Sequence, residues 1–335
     1  VGAGVGVASD RAALLAFKNS SATWGYHTWD ESKPISSWTG VHVNTDGRVT
    51  GLDLHNSDPK PFATSRFGTL SSVQGNVDLL EPMTKLESLN LSGTRATGNV
   101  AKLAQLSGLT SLNLSGTKVS GNFNYSSHTA LTSLNLSGTN MSGNLSEFSS
   151  HTALTSLDLR GTKNMSGNLS NLSSHKALTY LDLTGTGVTG KLSNLSSNTA
   201  LTYLDLTSTK MTGELSSLRN MNQLSVLKLE FTKYQVGVTG DLKDLAPLRS
   251  LQHLDLTGCG KVTGNLTGLL PLNDLSVLKL GNTAAQYGPR VNGLEPGYKG
   301  FSAADSNPGD TLEFLRKMQL DALSDAGSGQ PCKLF

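Results

Sequence analysis

Only two cysteines, Cys259 and Cys332, occur in 335 residues. Two thiols exclude a disulfide framework and leave the redox compartment undecided. Charge is also scarce and balanced: Lys plus Arg number 27 against 25 Asp plus Glu, a net charge of +2. With no local run of Lys or Arg, neither a nucleic acid nor an anionic membrane surface is an expected partner. No apolar stretch reaches about 18 residues, so no membrane insertion is expected. Catalytic signatures are missing as well. There is no Gly-x-Ser-x-Gly elbow at a strand-to-helix turn, no phosphate loop, no His-Glu-x-x-His and no metal-spaced cysteine pair. The expectation is a non-enzymatic chain with no metal and no cofactor.

What the chain does have is a repeated phrase, Leu-x-x-Leu-x-Leu-x-x-Thr. It starts at Leu86, Leu109, Leu131, Leu154, Leu178, Leu201, Leu224, Leu251 and Leu275, with Cys259 replacing the last Thr once. Successive starts lie 23, 22, 23, 24, 23, 23, 27 and 24 residues apart. A period in the twenties with leucines at offsets 0, 3 and 5 marks a leucine-rich repeat solenoid. The predicted fold class is therefore an α/β solenoid: a right-handed superhelix with one parallel sheet on its concave face and helical caps at both ends.

The physics behind the pattern is simple. Leucines at offsets 3 and 5 alternate with polar residues at 2, 4 and 6, which is the period of a half-buried strand. One such strand cannot bury its leucines alone, so turns stack at about 4.8 Å and share a continuous core. The offset-8 residue follows the strand and turns inward. Thr94, Thr117, Thr139, Thr162, Thr186, Thr209, Thr232 and Thr283 occupy it, and their hydroxyls are expected to bond the buried backbone of the next turn. Cys259 then reads as a small buried thiol without reactivity. About twelve residues after the first leucine a Gly recurs, as in VSGN, MSGN, MTGE and VTGD, suiting a positive φ or a close backbone approach.

These second-half motifs resemble the plant-specific class of leucine-rich repeats, with Ser, Thr or Lys where that class carries Pro. The N-terminus adds to the likeness. SDRAALLAFKNS followed by WTGVHVNTDGRVTGLDL resembles the cap of plant receptor ectodomains and polygalacturonase-inhibitor-like proteins. The family's cap cysteines are absent, with Ser36 and Val43 in their places, as in cysteine-poor repeats of algae and protists. The resemblance covers roughly residues 9–293 and implies a binding module with no kinase or membrane segment.

Within the cap, Ser9 or Asp10 is expected to start a helix whose Ala13, Leu14 and Phe17 cover the first coil. VGAGVGVA ahead of Ser9 reads as the remainder of a processed targeting peptide or as an arbitrary edge. Residues 56–80 are expected to hold one degenerate turn around Phe62 and Phe67. At the other end, residues 284–309 read as loop. Asp310 and Glu313 form a capping box for a helix carrying Leu312, Leu315 and Met318. The expected organisation is thus a cap over residues 1–47, about ten or eleven turns over 48–293, the first ones irregular, and a loop with a helical cap over 294–335.

Offsets 2, 4 and 6 point onto the open sheet face, where solenoids of this kind bind. The early repeats show small polar residues there: Ser88, Asn90, Ser92; Ser111, Asn113, Ser115; Ser133, Asn135, Ser137. Later repeats carry aromatic and charged groups, and Tyr is enriched in interface hot spots. The expected ligand-binding residues are Asp158, Arg160, Tyr180, Asp182, Thr184, Tyr203, Asp205, Thr207, Lys228, Glu230, His253 and Asp255. The 27-residue unit contributes Phe231, Tyr234 and Val236, which either extend the patch or pack on the neighbouring turn. His128, His151 and His175 share offset −3, and with no Cys or carboxylate column beside them they read as copied repeat sequence.

Twelve Asn-x-Ser/Thr sequons occur, and Asn124, Asn171 and Asn194 are the expected glycan acceptors. Their density favours a secreted or luminal protein over a subunit of an organellar or intracellular assembly. The sequence reading is a recognition module for a protein, peptide or glycan partner on the concave face. A structural scaffold subunit is the first alternative. An ice-binding surface is the second, built on the Thr110, Thr132, Thr155, Thr179 and Thr202 column, against which the curvature of such a sheet argues.

Overall fold

A computed structural model describes residues 2–21, 29–55, 73–122, 128–231, 237–285 and 316. The expected degenerate turn over 56–72, the loop after residue 285 and most of the C-terminal helix lie outside these residues. Two compact units divide the chain, Val1–Ser166 and Gly167–Phe335.

The first unit opens with a helix, Gly2–Asn19. It starts well before Ser9, so Ser9 and Asp10 sit inside it and cap nothing. Ala13, Leu14 and Phe17 are buried, as their stripe requires. Asp10 is fully buried and turned to another task. Its carboxylate accepts from Arg48 Nε at 2.7 Å, Arg48 Nη2 at 3.0 Å and the Val49 amide at 2.9 Å. That clamp ties the helix to an antiparallel hairpin, Val41–Val43 with Val49–Asp53, which the sequence pattern did not announce. Trp29 and Trp38 stack at 4.9 Å in the same cap, both buried. Arg11 lies over the Trp38 ring at 5.1 Å.

From this hairpin a parallel ladder grows in sequence order. Gly51, Ser88, Ser111, Ser133 and Ser156 pair in successive strands. The second unit repeats the construction over strands at 180–182, 203–205, 226–228, 253–255 and 277–279. There Tyr180, Tyr203, Val226, His253 and Val277 are in register. The repeat leucines Leu112, Leu134, Leu157, Leu181, Leu204 and Leu227 are all fully buried. Burying each contributes about 1.5–3 kcal/mol, which makes this shared core the main source of stability.

Each turn also carries a second strand on another side of the coil, such as Asn140–Asn144 in the first unit and Lys210–Glu214 in the second. A one-turn 3-10 helix follows, and where Asn or Asp precedes it the side chain accepts an amide: Asn144 from Ser146 at 2.9 Å, Asp241 from Lys243 at 2.9 Å. The recurrent Gly sits in this strand or at the matching position of a turn that lacks it. Gly98 has φ 114°, and a Cβ there would overlap the Asn76 side chain, so both expected reasons for Gly apply at once.

The threonine ladder is real but wired differently from expectation. Thr94, Thr117, Thr139, Thr186 and Thr209 are buried, and each hydroxyl donates to the carbonyl three residues earlier in its own turn, at 2.6–2.7 Å. The hydroxyl of Thr94 also accepts the Ala96 amide at 3.3 Å. A Cβ-mounted hydroxyl reaches its own chain more readily than the next coil. Cys259 does reach the neighbouring coil, its Sγ lying 3.2 Å from the Leu229 carbonyl. Burial pushes its thiol up to about 12. At the far end Arg316, a helical residue, donates to the Leu275 carbonyl at 3.2 Å.

Candidate functional site

The sheet face of the second unit carries three parallel rows, one per outward offset. The first is Tyr180, Tyr203, Val226, His253 and Val277, set by strand register. The second is Asp182, Asp205, Lys228, Asp255 and Lys279. The third runs through Thr184, Thr207, Glu230 and Thr257. Val277 and Lys279 extend the rows one turn beyond the residues expected from sequence. The repeat starting at Leu275 carries the same pattern and was the signal available for them.

The Tyr180 and Tyr203 rings stack at 4.4 Å with planes 12° apart. Strands about 4.8 Å apart impose this spacing on like residues in register. Lys228 Nζ lies 5.6 Å from the Tyr203 ring centroid and 3.4 Å from its hydroxyl. Tyr203 is therefore held between Tyr180 and Lys228, and its half-buried hydroxyl also reaches Asp205 Oδ2 at 3.3 Å.

The aspartates are placed on the expected row, but buried. Asp182 is fully buried, and Asp158, Asp205 and Asp255 are nearly so. Their Oδ1 atoms accept the amide two residues on: Arg160 at 3.0 Å, Thr184 at 2.9 Å, Thr207 at 3.0 Å and Thr257 at 3.0 Å. These are Asx turns that close the strand end. Asn90, Asn113 and Asn135 make the same bond in the first unit. The row is thus structural first, and what reaches outward is its charge. Lys228 pairs with Asp205 Oδ2 at 3.5 Å and Lys279 with Asp255 Oδ2 at 3.1 Å. In the first unit the exposed Arg160 pairs with Asp158 at 3.6 Å.

His253 sits half-buried among these charges, with its Nε2 out of solvent. Its pKa is held below the ordinary value by burial and by Lys228 and Lys279, against the opposing pull of Asp255 and Asp205. At neutral pH it is an uncharged member of the aromatic row. Phe231 is buried with its ring against Gly237 of its own 27-residue unit, so it packs within that unit and does not extend the exposed patch. Tyr234 and Val236 lie outside the described residues.

His128, His151 and His175 are fully buried core residues. Asn198 continues their column, donating from Nδ2 to the Leu172 carbonyl at 3.0 Å and the His175 carbonyl at 2.8 Å. Among the described residues no group of three His, Cys, Asp or Glu could hold a metal ion. No helix among them is long and apolar enough to cross a membrane. Of the expected glycan acceptors, Asn124 lies outside the described residues, while Asn171 and Asn194 are half-buried, Asn171 donating through Nδ2 and Asn194 accepting through Oδ1.

This architecture is the leucine-rich repeat fold. Solved structures of that fold match it over most of its length. The ectodomain of the Arabidopsis thaliana receptor kinase GASSHO1/SCHENGEN3, in complex with CASPARIAN STRIP INTEGRITY FACTOR 2, aligns with a TM-score of 0.63 at 19% identity, covering 82% of this chain and 33% of that one. A plant ice-binding protein aligns with a TM-score of 0.64 at 18% identity, covering 83% of this chain and 87% of its own. The Arabidopsis receptor kinase HAESA ectodomain, bound to an IDA peptide hormone, aligns with a TM-score of 0.57 at 23% identity, over 83% and 48%. The chain spans about a third of the first ectodomain's length and about half of the second's. No protein-family model and no curated protein matches the sequence.

Proposed function

We propose that this chain is a non-catalytic recognition module that binds an extended protein segment on the sheet face of its second unit. The observation that carries the reading is the row Tyr180, Tyr203, Val226, His253 and Val277, an apolar and aromatic strip beside a row of paired charges. Lysines 228 and 279 flank it and are matched by buried carboxylates. Rigid aromatic edges supply contact area at low entropic cost, and the paired charges set polarity along the strip. The HAESA ectodomain, of the same fold, is solved with a peptide hormone bound, which makes a peptide the first partner class to test. The same reading takes the protein to be exported, in keeping with its many sequons.

The test is selection of a displayed random-peptide library on the immobilised full chain. Peptides that bind the parent at least tenfold more tightly than the Tyr203→Ala variant support the assignment. Peptides that bind both alike place recognition elsewhere.

A second reading, ice binding, has its own observation. Thr110, Thr132, Thr155 and Thr202 are exposed, and each hydroxyl donates to a carbonyl of the preceding turn at 3.0–3.1 Å. Within the first unit, Thr110, Thr132 and Thr155 thus hold their hydroxyls alike along a regular exposed row. Inhibition of ice recrystallisation by the pure chain would support this reading, and unaltered ice growth would end it.

A further inference from the structure

The sequons sort into classes once their surroundings are known. Asn90, Asn113 and Asn135 are half-buried on the main sheet, their Oδ1 atoms closing strand-end turns at 3.0–3.2 Å. Asn144, Asn168 and Asn265 cap 3-10 helices. The Asn168 cap is packed against the next coil, since its Oδ1 lies 3.0 Å from where a Cβ on Gly190 would sit. Asn171 donates its Nδ2 to the Asn168 carbonyl at 3.0 Å, and Asn194 accepts the Lys191 amide at 2.9 Å. Asn171 is half-buried, and a sugar on its Nδ2 would compete for the space beside this bond. Asn19 is exposed but ends a helix, and Ser21 completes its last turn with a bond to the Lys18 carbonyl.

Asn140 and Asn164 differ from all of these. Both are exposed, both open a strand of the second sheet in extended backbone, and neither amide makes a hydrogen bond among the described residues. The rest of each sequon is anchored. Met141 and Met165 are fully buried. Ser142 donates to the Gly121 carbonyl at 3.2 Å and Ser166 to the Gly143 carbonyl at 3.3 Å. Strand alternation sends the Asn and the Ser of each triplet to the same outer side, while the Met goes inward.

We propose that Asn140 and Asn164, both exposed, are the N-glycosylation sites of this chain, in preference to the half-buried Asn171 and Asn194. The inference rests on the export part of the reading above. The donor is a polyprenyl-pyrophosphate-linked oligosaccharide of the secretory pathway. Asn Nδ2 bonds to the anomeric carbon of the first sugar, the carbon–oxygen bond to pyrophosphate breaks, and Nδ2 loses one of its two protons. No electrons change hands, and the carbonyl Oδ1 keeps its acceptor capacity. Glycans here cover part of the second sheet and leave the main sheet face uncovered.

The experiment is translation of the full chain behind a cleavable signal peptide with endoplasmic-reticulum microsomes. Glycosidase-catalysed conversion of Asn to Asp then maps the sites. The expected result is conversion at Asn140 and Asn164, with one glycan mass lost in each of Asn140→Gln and Asn164→Gln. Ser142→Ala should remove the Asn140 glycan and Ser142→Thr should retain it. A bare chain, or sugar on Asn171 or Asn194 with Asn140 and Asn164 unmodified, overturns the proposal. Tyr203→Ala reads the peptide face separately and should leave site occupancy unchanged, so either reading can fail alone.

Discussion

Asp10 of the N-terminal helix is fully buried and bonded to both Arg48 nitrogens that face it, as well as to the Val49 amide. Removing one partner of such a pair strands a buried charge. Asp10→Ala is expected to cost about 3–5 kcal/mol, read as a shift in the denaturant midpoint. A loss under about 1 kcal/mol, typical of a surface pair, would mean that the clamp is not formed.

Lys228 and Tyr180 cover the two sides of the Tyr203 ring. Tyr203→Ala should weaken a selected peptide about ten- to hundredfold with little change in stability, because the ring is only half-buried. Lys228→Ala should have a smaller effect that shrinks further in high salt, since one side of it is electrostatic. Isothermal titration at two salt concentrations separates the two contributions.

The recurrent glycines give a paired comparison. Gly98 has φ 114° and an occupied Cβ position, whereas Gly143 has no positive φ and faces the mobile tip of Met165 at 3.2 Å. Gly98→Ala should therefore carry about 1–3 kcal/mol of backbone strain beyond Gly143→Ala. Equal melting temperatures for the two variants would remove the conformational explanation for the column.

For His253 the sign follows from the depressed folded-state pKa. Below the ordinary histidine value the unfolded chain binds more protons than the folded one, so its contribution is lost as pH falls. Stability should drop from about pH 7 to pH 5, and His253→Gln should flatten that slope. Thermal melts of both proteins across this range are the check. An unchanged slope would place the titration elsewhere.

Cys259 should resist alkylation in the folded state, because its thiol is buried and pushed up to about 12. In a Cys332→Ser background, labelling is expected to proceed at the rate of unfolding and to accelerate with denaturant. Fast labelling in native buffer would contradict a buried thiol.

Much of this was legible from one dimension. Period-two alternation predicted the strands and their register, and the leucines it marked inward are buried without exception among those named. The rows were legible too, because like offsets of successive repeats fall in register along the ladder. What alternation does not encode is the partner of a polar group. Asp182 and Asp205 were placed on the correct row, but a carboxylate that closes a turn reads the same in sequence as one that awaits a ligand. Thr94 was correctly sent inward, yet its bond runs to Leu91 in its own turn. Asp10 looked like a helix cap because its partner, Arg48, lies 38 residues away. The hairpin beneath it was hidden for the same reason.

The Asx turns at the strand ends have a further consequence. Asn90, Asn113 and Asn135 make the same bond as Asp158, Asp182, Asp205 and Asp255, through the one oxygen that both side chains share. Exchanging amide for carboxylate therefore leaves the backbone indifferent while adding or removing a unit of charge. The electrostatic pattern of the ladder can be rewritten turn by turn on a scaffold that does not register the edit. A repeat array built this way can diverge in what it attracts long before it diverges in shape.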